Sequence, residues 1–285
     1  MLFSLKVVIV LKLNMLFLFS LGGQDIYQLA EVMAYAGLYD QAATEYLRFI
    51  FFNPESELVS RAYLKLAQCA LHLKEFAKTE KYLQLAQEHA RSEDERIDLM
   101  FKQLAFYLGS NKLKDAEFIL AKLECLSLKE EVLQQKLFFK ALLEVLKYNF
   151  KEAFKLFDLY FGQNQVFSNA TEEAVIEILK QAINTKPKDP GWAIFLSLII
   201  PGLGQVYAEK PGAGLLSFMV TGSAATLVIY SLLSGDYLNA LLAGIFVFLR
   251  FYEGSVYHAE RYVKEYNAFQ AKAWQDEILR LLRQE

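Results

Sequence analysis

The sequence predicts an all-α protein: a helical-hairpin repeat solenoid, then a transmembrane helical hairpin, then an amphipathic C-terminal helix. Three observations carry this. The 285 residues include only five prolines and are rich in Leu, Ala, Lys, Glu, Phe and Tyr, a helix-forming composition with an aromatic surplus. A 37-residue periodicity runs through the first half of the chain. Two long apolar stretches follow nearer the C-terminus, and 54% of the residues are apolar, which is high for a purely soluble globule.

Residues 1–23, MLFSLKVVIVLKLNMLFLFSLGG, read as a signal peptide, cleaved or retained as an N-terminal anchor. Lys6 and Lys12 supply a positive start, Leu13 to Leu21 an apolar run, and Ser20-Leu21-Gly22 a small-x-small cleavage pattern. A start at Met15 would leave the segment without its lysines. The alternative is a buried N-terminal helix, although the lysines interrupt any amphipathic pattern.

Residues 24–184 form a repeat domain. Tyr39, Phe76, Leu113 and Phe150 lie 37 apart in each step, as do Ala42, Thr79, Ala116 and Ala153. Tyr46, Leu83, Leu120 and Phe157 keep the same register, as do Ala30, Ala67, Leu104 and Ala141, and Ile26, Tyr63, Met100 and Leu137. Units starting near residues 23, 60, 97 and 134 therefore each contain two helices joined by a short polar turn. Small residues let one helix approach another, and the large ones fill the space between. Residues 171–184 add a capping helix, with Glu172 and Glu173 in the first turn where the helix dipole favours acids.

These columns resemble the tetratricopeptide repeat, with a small eighth position, an aromatic or Leu at the seventeenth, Ala at the twentieth and an aromatic or Leu at the twenty-fourth. The first unit, AEVMAYAGLYDQAATEYLRFIFFNPES, is the nearest match and carries the terminal Pro54. The later units lack that proline, and the period exceeds the family's usual length of about 34 residues. The resemblance implies a stack in which each pair buries its face on its neighbours. It also implies a concave surface, lined by the first helices, that holds a protein or peptide partner. Tyr27, Leu64, Phe101 and Phe138, with Leu71 and Leu108 one turn on, make that surface apolar and suited to a hydrophobic segment. The alternative is that these side chains pack inside the stack. Where the family's carboxylate clamp has basic and Asn residues, this chain has Gln24, Glu31, Gln68, Ala105 and Leu142, which argues against that mode.

Residues 185–192, TKPKDPGW, form a linker ending in an aromatic suited to a membrane interface. The membrane domain spans residues 193–258. Residues 193–208 are apolar but broken. Residues 212–233 carry no formal charge, and these 22 residues suffice to cross a hydrocarbon core of about 30 Å. After the turn Ser234-Gly235-Asp236, a second helix covers residues 237–257. Its apolar part, residues 237–249, rises only about 20 Å, so the helix has to continue past Arg250 and Glu253. Those two lie three apart and can pair. Ionisable groups at membrane depth are functional candidates, and a pair reaching the interface is the plainer alternative. Gly212, Gly214, Gly222, Ser223 and Ala224, with Ala240, Ala243 and Gly244, predict close helix contact.

The stretch SLIIPGLGQVYAEKPGAG is no nucleotide-phosphate loop, because no GK[ST] follows and no strand precedes it. Followed by the helix pair and by RFYEGSVYHAERYVKEYN, it resembles a family of small bacterial membrane domains with a P-G-x-G-Q-x-Y motif, over residues 193–267. The resemblance implies a domain type and no activity. Pro201, Gly202, Gly204, Gln205 and Tyr207 predict a helix break at bilayer depth. Gln205 and Tyr207 are expected to bond either the freed backbone groups or Arg250 and Glu253. A crossing by residues 192–208 would place Lys210, Arg261 and Lys264 opposite exported repeats, as the positive-inside rule favours; a segment that only dips in and returns would leave that basic tail on the side of exported repeats. Residues 259–285 form an amphipathic helix, expected to lie on the membrane or a partner.

The formal charge of −3, without any dense Lys/Arg block, gives no sign of a nucleic-acid partner. His72, His89 and His258 have no metal-ligand spacing with Cys69, Cys125 or one another. No catalytic constellation emerges. The reading is a non-enzymatic scaffold in the inner membrane of a bacterial cell envelope, without cofactor or nucleotide. Its repeats are exported, and its partners are a protein or peptide and the lipid bilayer. Two alternatives stand beside it: a transporter or channel subunit whose hairpin is the active part, with regulatory repeats, and a scaffold with cytoplasmic repeats.

Overall fold

The computed structural model describes residues 23–126, 129–163 and 167–283, and among them all regular structure is helical. The expected signal peptide, Gly23 apart, lies outside the described residues. The chain divides into two compact units between Phe139 and Lys140.

The first unit contains α1 (Gly23–Tyr35), α2 (Tyr39–Phe52), α3 (Val59–His72), α4 (Phe76–Glu88), α5 (Glu93–Gly109) and α6 (Leu113–Glu124), each packed on the next. The unit boundary falls within α7 (Glu130–Leu146), after which come α8 (Phe150–Gln163) and α9 (Asn169–Asn184).

The second helix of each pair begins at Tyr39, Phe76, Leu113 and Phe150, at the interval found in the sequence. The turn before it is the same four times. Gly37, Lys74, Asn111 and Tyr148 have φ of 78°, 61°, 57° and 59°. The next residue's N–H then reaches back five positions: Leu38 to Met33, Glu75 to Ala70, Lys112 to Tyr107 and Asn149 to Glu144, all at 2.8–2.9 Å. These bonds satisfy carbonyls that a helix end leaves over. The first turn uses glycine and the third Asn, which tolerates this region, whereas Lys74 and Tyr148 hold a left-handed conformation that costs such L-residues about 1–2 kcal/mol. The small column of Ala42, Thr79, Ala116 and Ala153 is buried throughout.

Polar side chains tie neighbouring helices of the first unit together. Tyr46 donates to Glu31 Oε1, and Lys65 pairs with the same carboxylate, joining α2 and α3 to α1. Tyr107 donates to Glu80 Oε1 at 2.9 Å, Lys112 pairs with Glu80, and Gln103 donates to the Tyr107 oxygen. Lys112 holds the Glu80 carboxyl below the usual glutamate range, against the opposing effect of burial. Burial, then the Glu80 charge, pushes the Tyr107 hydroxyl up. Cys69 is buried, Cys125 is exposed, and both are free thiols.

The second unit continues with α10 (Pro190–Ile199), α11 (Leu203–Tyr207), α12 (Pro211–Leu233) and α13 (Tyr237–Arg283), the last with a π-helical turn at Gly244–Leu249. Among the described residues, α12 and α13 are the helices long and apolar enough to cross a membrane. At 47 residues α13 is about 70 Å long and runs unbroken past Arg250 and Glu253.

The end of α13 is occupied by the chain itself, which corrects the expected membrane-lying or partner-seeking tail. Val263 and Ile278 are buried, and Trp274 meets Phe150 edge-on at 5.9 Å. Gln275 Nε2 donates to the carbonyls of Val145 and Leu146 at 3.2 and 3.3 Å, closing the end of α7. Because this helix also packs on α9, the unit boundary falls at Phe139 and not at the linker.

The glycine contacts also differ from expectation. A side chain at Gly212, Gly222 or Gly244 would meet open space. Gly214 and Ala224 are buried as expected, with Ala240 and Ala243, and the inward seam of α12 is Gly214, Ser217, Thr221, Ala224, Val228 and Ser231, alternating steps of three and four. That spacing keeps one face turned toward a neighbouring helix. The large side chains Leu215, Leu216, Phe218 and Met219 point away and are exposed.

Two outcomes follow for the full chain in detergent. Lys74→Gly should raise hydrogen-exchange protection of α3 and α4 by about 0.5–1 kcal/mol, because glycine removes the left-handed strain but adds unfolded-state entropy; no change or a loss would contradict the strained turn. Since the folded Glu80 carboxyl lies below its unfolded value, its stabilisation is present above the unfolded value and lost as pH falls through the folded one. Glu80→Gln should therefore lower stability at pH 7, with the difference from wild type shrinking as pH drops below about 4. Denaturation measured from pH 3 to 7 checks this.

Candidate functional site

The motif residues gather around a break in the backbone. Pro201 has no N–H, so α10 stops at Ile199, and Gly202 turns the chain with φ of 93°. In a continuous helix the Gly202 N–H would bond the Leu198 carbonyl. Here the Gly202 N–H donates to Ser255 Oγ at 2.8 Å, and Leu198 O accepts from the Tyr252 hydroxyl at 2.6 Å. Gly204 N–H donates to Ser197 Oγ at 3.1 Å. Side chains of α13 and α10 thus take the groups that the break releases, as an apolar setting requires.

Three glycines make the fit possible. A Cβ on Gly202 would lie 2.0 Å from the Gly214 carbonyl oxygen, and one on Gly204 would lie 2.0 Å from that of Ala193. One on Gly214 would meet Gly202 O at 2.6 Å. The short helix α11 is therefore held between α10 and the start of α12 at backbone contact.

Gln205 is buried within this junction, its Nε2 donating to Ser217 Oγ at 2.7 Å and to the Ser255 carbonyl at 3.4 Å. Tyr207 closes the other end. Its hydroxyl accepts the Asp189 N–H at 3.2 Å, and its carbonyl accepts from Lys188 Nζ at 2.9 Å. The chain has thus returned beside the start of α10 by Tyr207, so residues 190–207 form two short helices folded back on each other. The expected crossing by residues 192–208 would need the two ends of this segment far apart. Ten residues of α10 rise only about 15 Å, and the break folds α11 back on them.

Lys188 organises that end. Asn267 accepts its N–H at 3.0 Å and donates to its carbonyl at 2.8 Å. The ammonium lies 4.0 Å from the Tyr266 ring centroid and 2.8 Å from Glu209 Oε1. Lys188 and then Tyr266 hold the exposed Glu209 carboxyl below the usual range.

Arg250 and Glu253 stand apart from this constellation. Among the described residues they form no ion pair with each other, and neither bonds Gln205 or Tyr207; both are exposed. Sequence reasoning missed Lys188, Ser197, Tyr252 and Ser255. One of these carried a signal, since Ser197 is a small polar residue within the apolar run of α10.

In the first unit, Tyr27 and Leu64 line one cleft of about 600 Å³, shared with the charged Glu57, Arg61, Glu95 and Asp98. Phe101 and Leu108 are buried, Leu71 is exposed, and Phe138 is half-buried against Phe139. The structure does not bring the six into one apolar groove, because α5 is enclosed on several faces by its neighbours.

No protein-family model, curated protein or solved structure matches this chain.

Ser255→Ala should strip the Gly202 N–H of its partner and cost about 1–3 kcal/mol, whereas Ser223→Ala, whose hydroxyl bonds only the Met219 carbonyl of its own helix, should cost far less. Thermal unfolding in detergent, read at both variants, checks this; equal shifts would count against the junction.

Proposed function

We propose that this chain is a membrane-anchored, non-enzymatic scaffold of the bacterial cell envelope, with exported tetratricopeptide-like repeats that hold a protein or peptide partner. The observation that carries it is the fourfold recurrence of helix pair and left-handed turn every 37 residues. Stacked pairs of this kind present an extended surface rather than a reaction centre. The cleft beside Tyr27 and Leu64, lined also by the basic Arg61 and Lys65 and the acidic Glu57, Glu95 and Asp98, supports recognition of a segment that carries both apolar and charged side chains.

Anchoring is supported by α12 and α13. Their most apolar windows are only 17% and 11% buried, unlike the core helix of a soluble protein. With residues 190–207 re-entrant, two crossings place the motif and the end of α13 on the side of the repeats. With two crossings, Lys210, Arg261 and Lys264 lie on the side of the repeats, so the distribution of basic residues does not favour export. Export then rests on residues 1–23, because a first apolar segment usually dominates orientation and long domains translocate largely regardless of charge.

Carbonate extraction should leave the chain in the membrane pellet. Protease added to spheroplasts should digest the repeats along with a periplasmic control. Repeats that survive while the control is degraded would place them in the cytoplasm and sink the export reading.

A further inference from the structure

A cleft of about 390 Å³ opens between α11, α12 and α13, in the size range of small-ligand sites. Among its lining residues, Gln205 at 1% and Thr221 at 2% exposure are almost wholly buried. Each brings a polar atom without a hydrogen-bond partner, Gln205 Oε1 and Thr221 Oγ1.

Neither is easily dismissed. The Ser255 carbonyl can only accept, so it fixes which end of the Gln205 amide is the nitrogen and leaves the oxygen without a donor. On α12, Ser223 and Thr226 donate to the carbonyls four residues back, at 2.8 and 2.9 Å. Thr221, on the same helix, does not. Buried polar groups are almost always paired, so two lone ones in one cleft ask for a bound partner.

The remaining walls say what kind. Arg250 and His258 line the same cleft, and among the described residues the Arg250 guanidinium has no ion-pair or hydrogen-bond partner. Leu216 and Phe251, 64% and 43% exposed, supply apolar walls. An occupant therefore needs an anionic group, hydrogens to donate and an apolar part.

The geometry points to a site for an anionic glycerophospholipid with a hydroxyl-bearing headgroup. Its phosphate meets Arg250, its headgroup hydroxyls donate to Gln205 Oε1 and Thr221 Oγ1, and an acyl chain follows Leu216 and Phe251. The phosphate-and-hydroxyl chemistry is shared with soluble glycerol phosphate; the lipid source rests on the membrane reading.

The test uses the purified full chain in detergent, titrated with phosphatidylglycerol, phosphatidylcholine or glycerol 3-phosphate and read by native mass spectrometry and melting temperature. Phosphatidylglycerol should bind at least tenfold more tightly than phosphatidylcholine, and millimolar glycerol 3-phosphate should not raise the melting temperature. Arg250→Ala should abolish the preference. Thr221→Val, which replaces a hydroxyl without an internal partner, should leave the lipid-free melting temperature unchanged and weaken phosphatidylglycerol binding severalfold. Equal binding of the two lipids, unchanged binding in both variants, or a lipid-free loss of stability in Thr221→Val would overturn the site. Binding of glycerol 3-phosphate as tight as that of phosphatidylglycerol would overturn the lipid as its source. Carbonate extraction reports membrane integration separately, so a chain that stays in the membrane but shows no lipid preference counts against this site alone.

Discussion

Much of the second unit follows from one missing N–H, at Pro201. A helix broken among apolar side chains releases backbone groups that have no water to turn to, and each has to find a partner in the protein. Ser255, Tyr252 and Ser197 provide those partners, and two of the three belong to α13. The break therefore dictates where α13 runs. It also dictates the glycines, because Gly202, Gly204 and Gly214 are the only residue type that lets α11 sit at backbone contact with both neighbours.

From that junction α13 continues and joins the rest of the unit. Beyond Ser255 its buried residues are Ala259 and Val263, then Gln275 and Ile278. Through Asn267 and Tyr266 it holds Lys188, and through Gln275 it closes the end of α7. One continuous helix thus links an apolar segment to the last repeat pair. A helix that already spends its apolar face on its own chain has little left for a membrane surface, which is why the amphipathic pattern of residues 259–285 misled.

The repeats rest on a different device. Their helix pairs differ in sequence at most positions, yet the turns share one hydrogen-bond pattern and one left-handed residue, whichever amino acid occupies it. Lys74 and Tyr148 accept strain there because the following helix must start at a set angle to bury its small column. Specific ties such as Glu31 with Tyr46 and Lys65, or Glu80 with Tyr107 and Lys112, then distinguish one pair from the next.

The sequence by itself determined the helical class, the 37-residue interval with its second-helix starts, the two long apolar helices and the break at Pro201. Each of these is a local or periodic property, set by composition, hydrophobic spacing or a residue that cannot donate. Only the tertiary structure decided that residues 190–207 turn back, that Ser255 and Tyr252 and not Arg250 and Glu253 serve the break, and that the last helix packs on its own chain. It also decided that Phe101 and Leu108 are core rather than surface. The physical reason is the same in each case. Which polar atom meets a freed backbone group, and which apolar face is covered, depends on contacts between segments 50 to 130 residues apart, and residue spacing along one helix carries no trace of them.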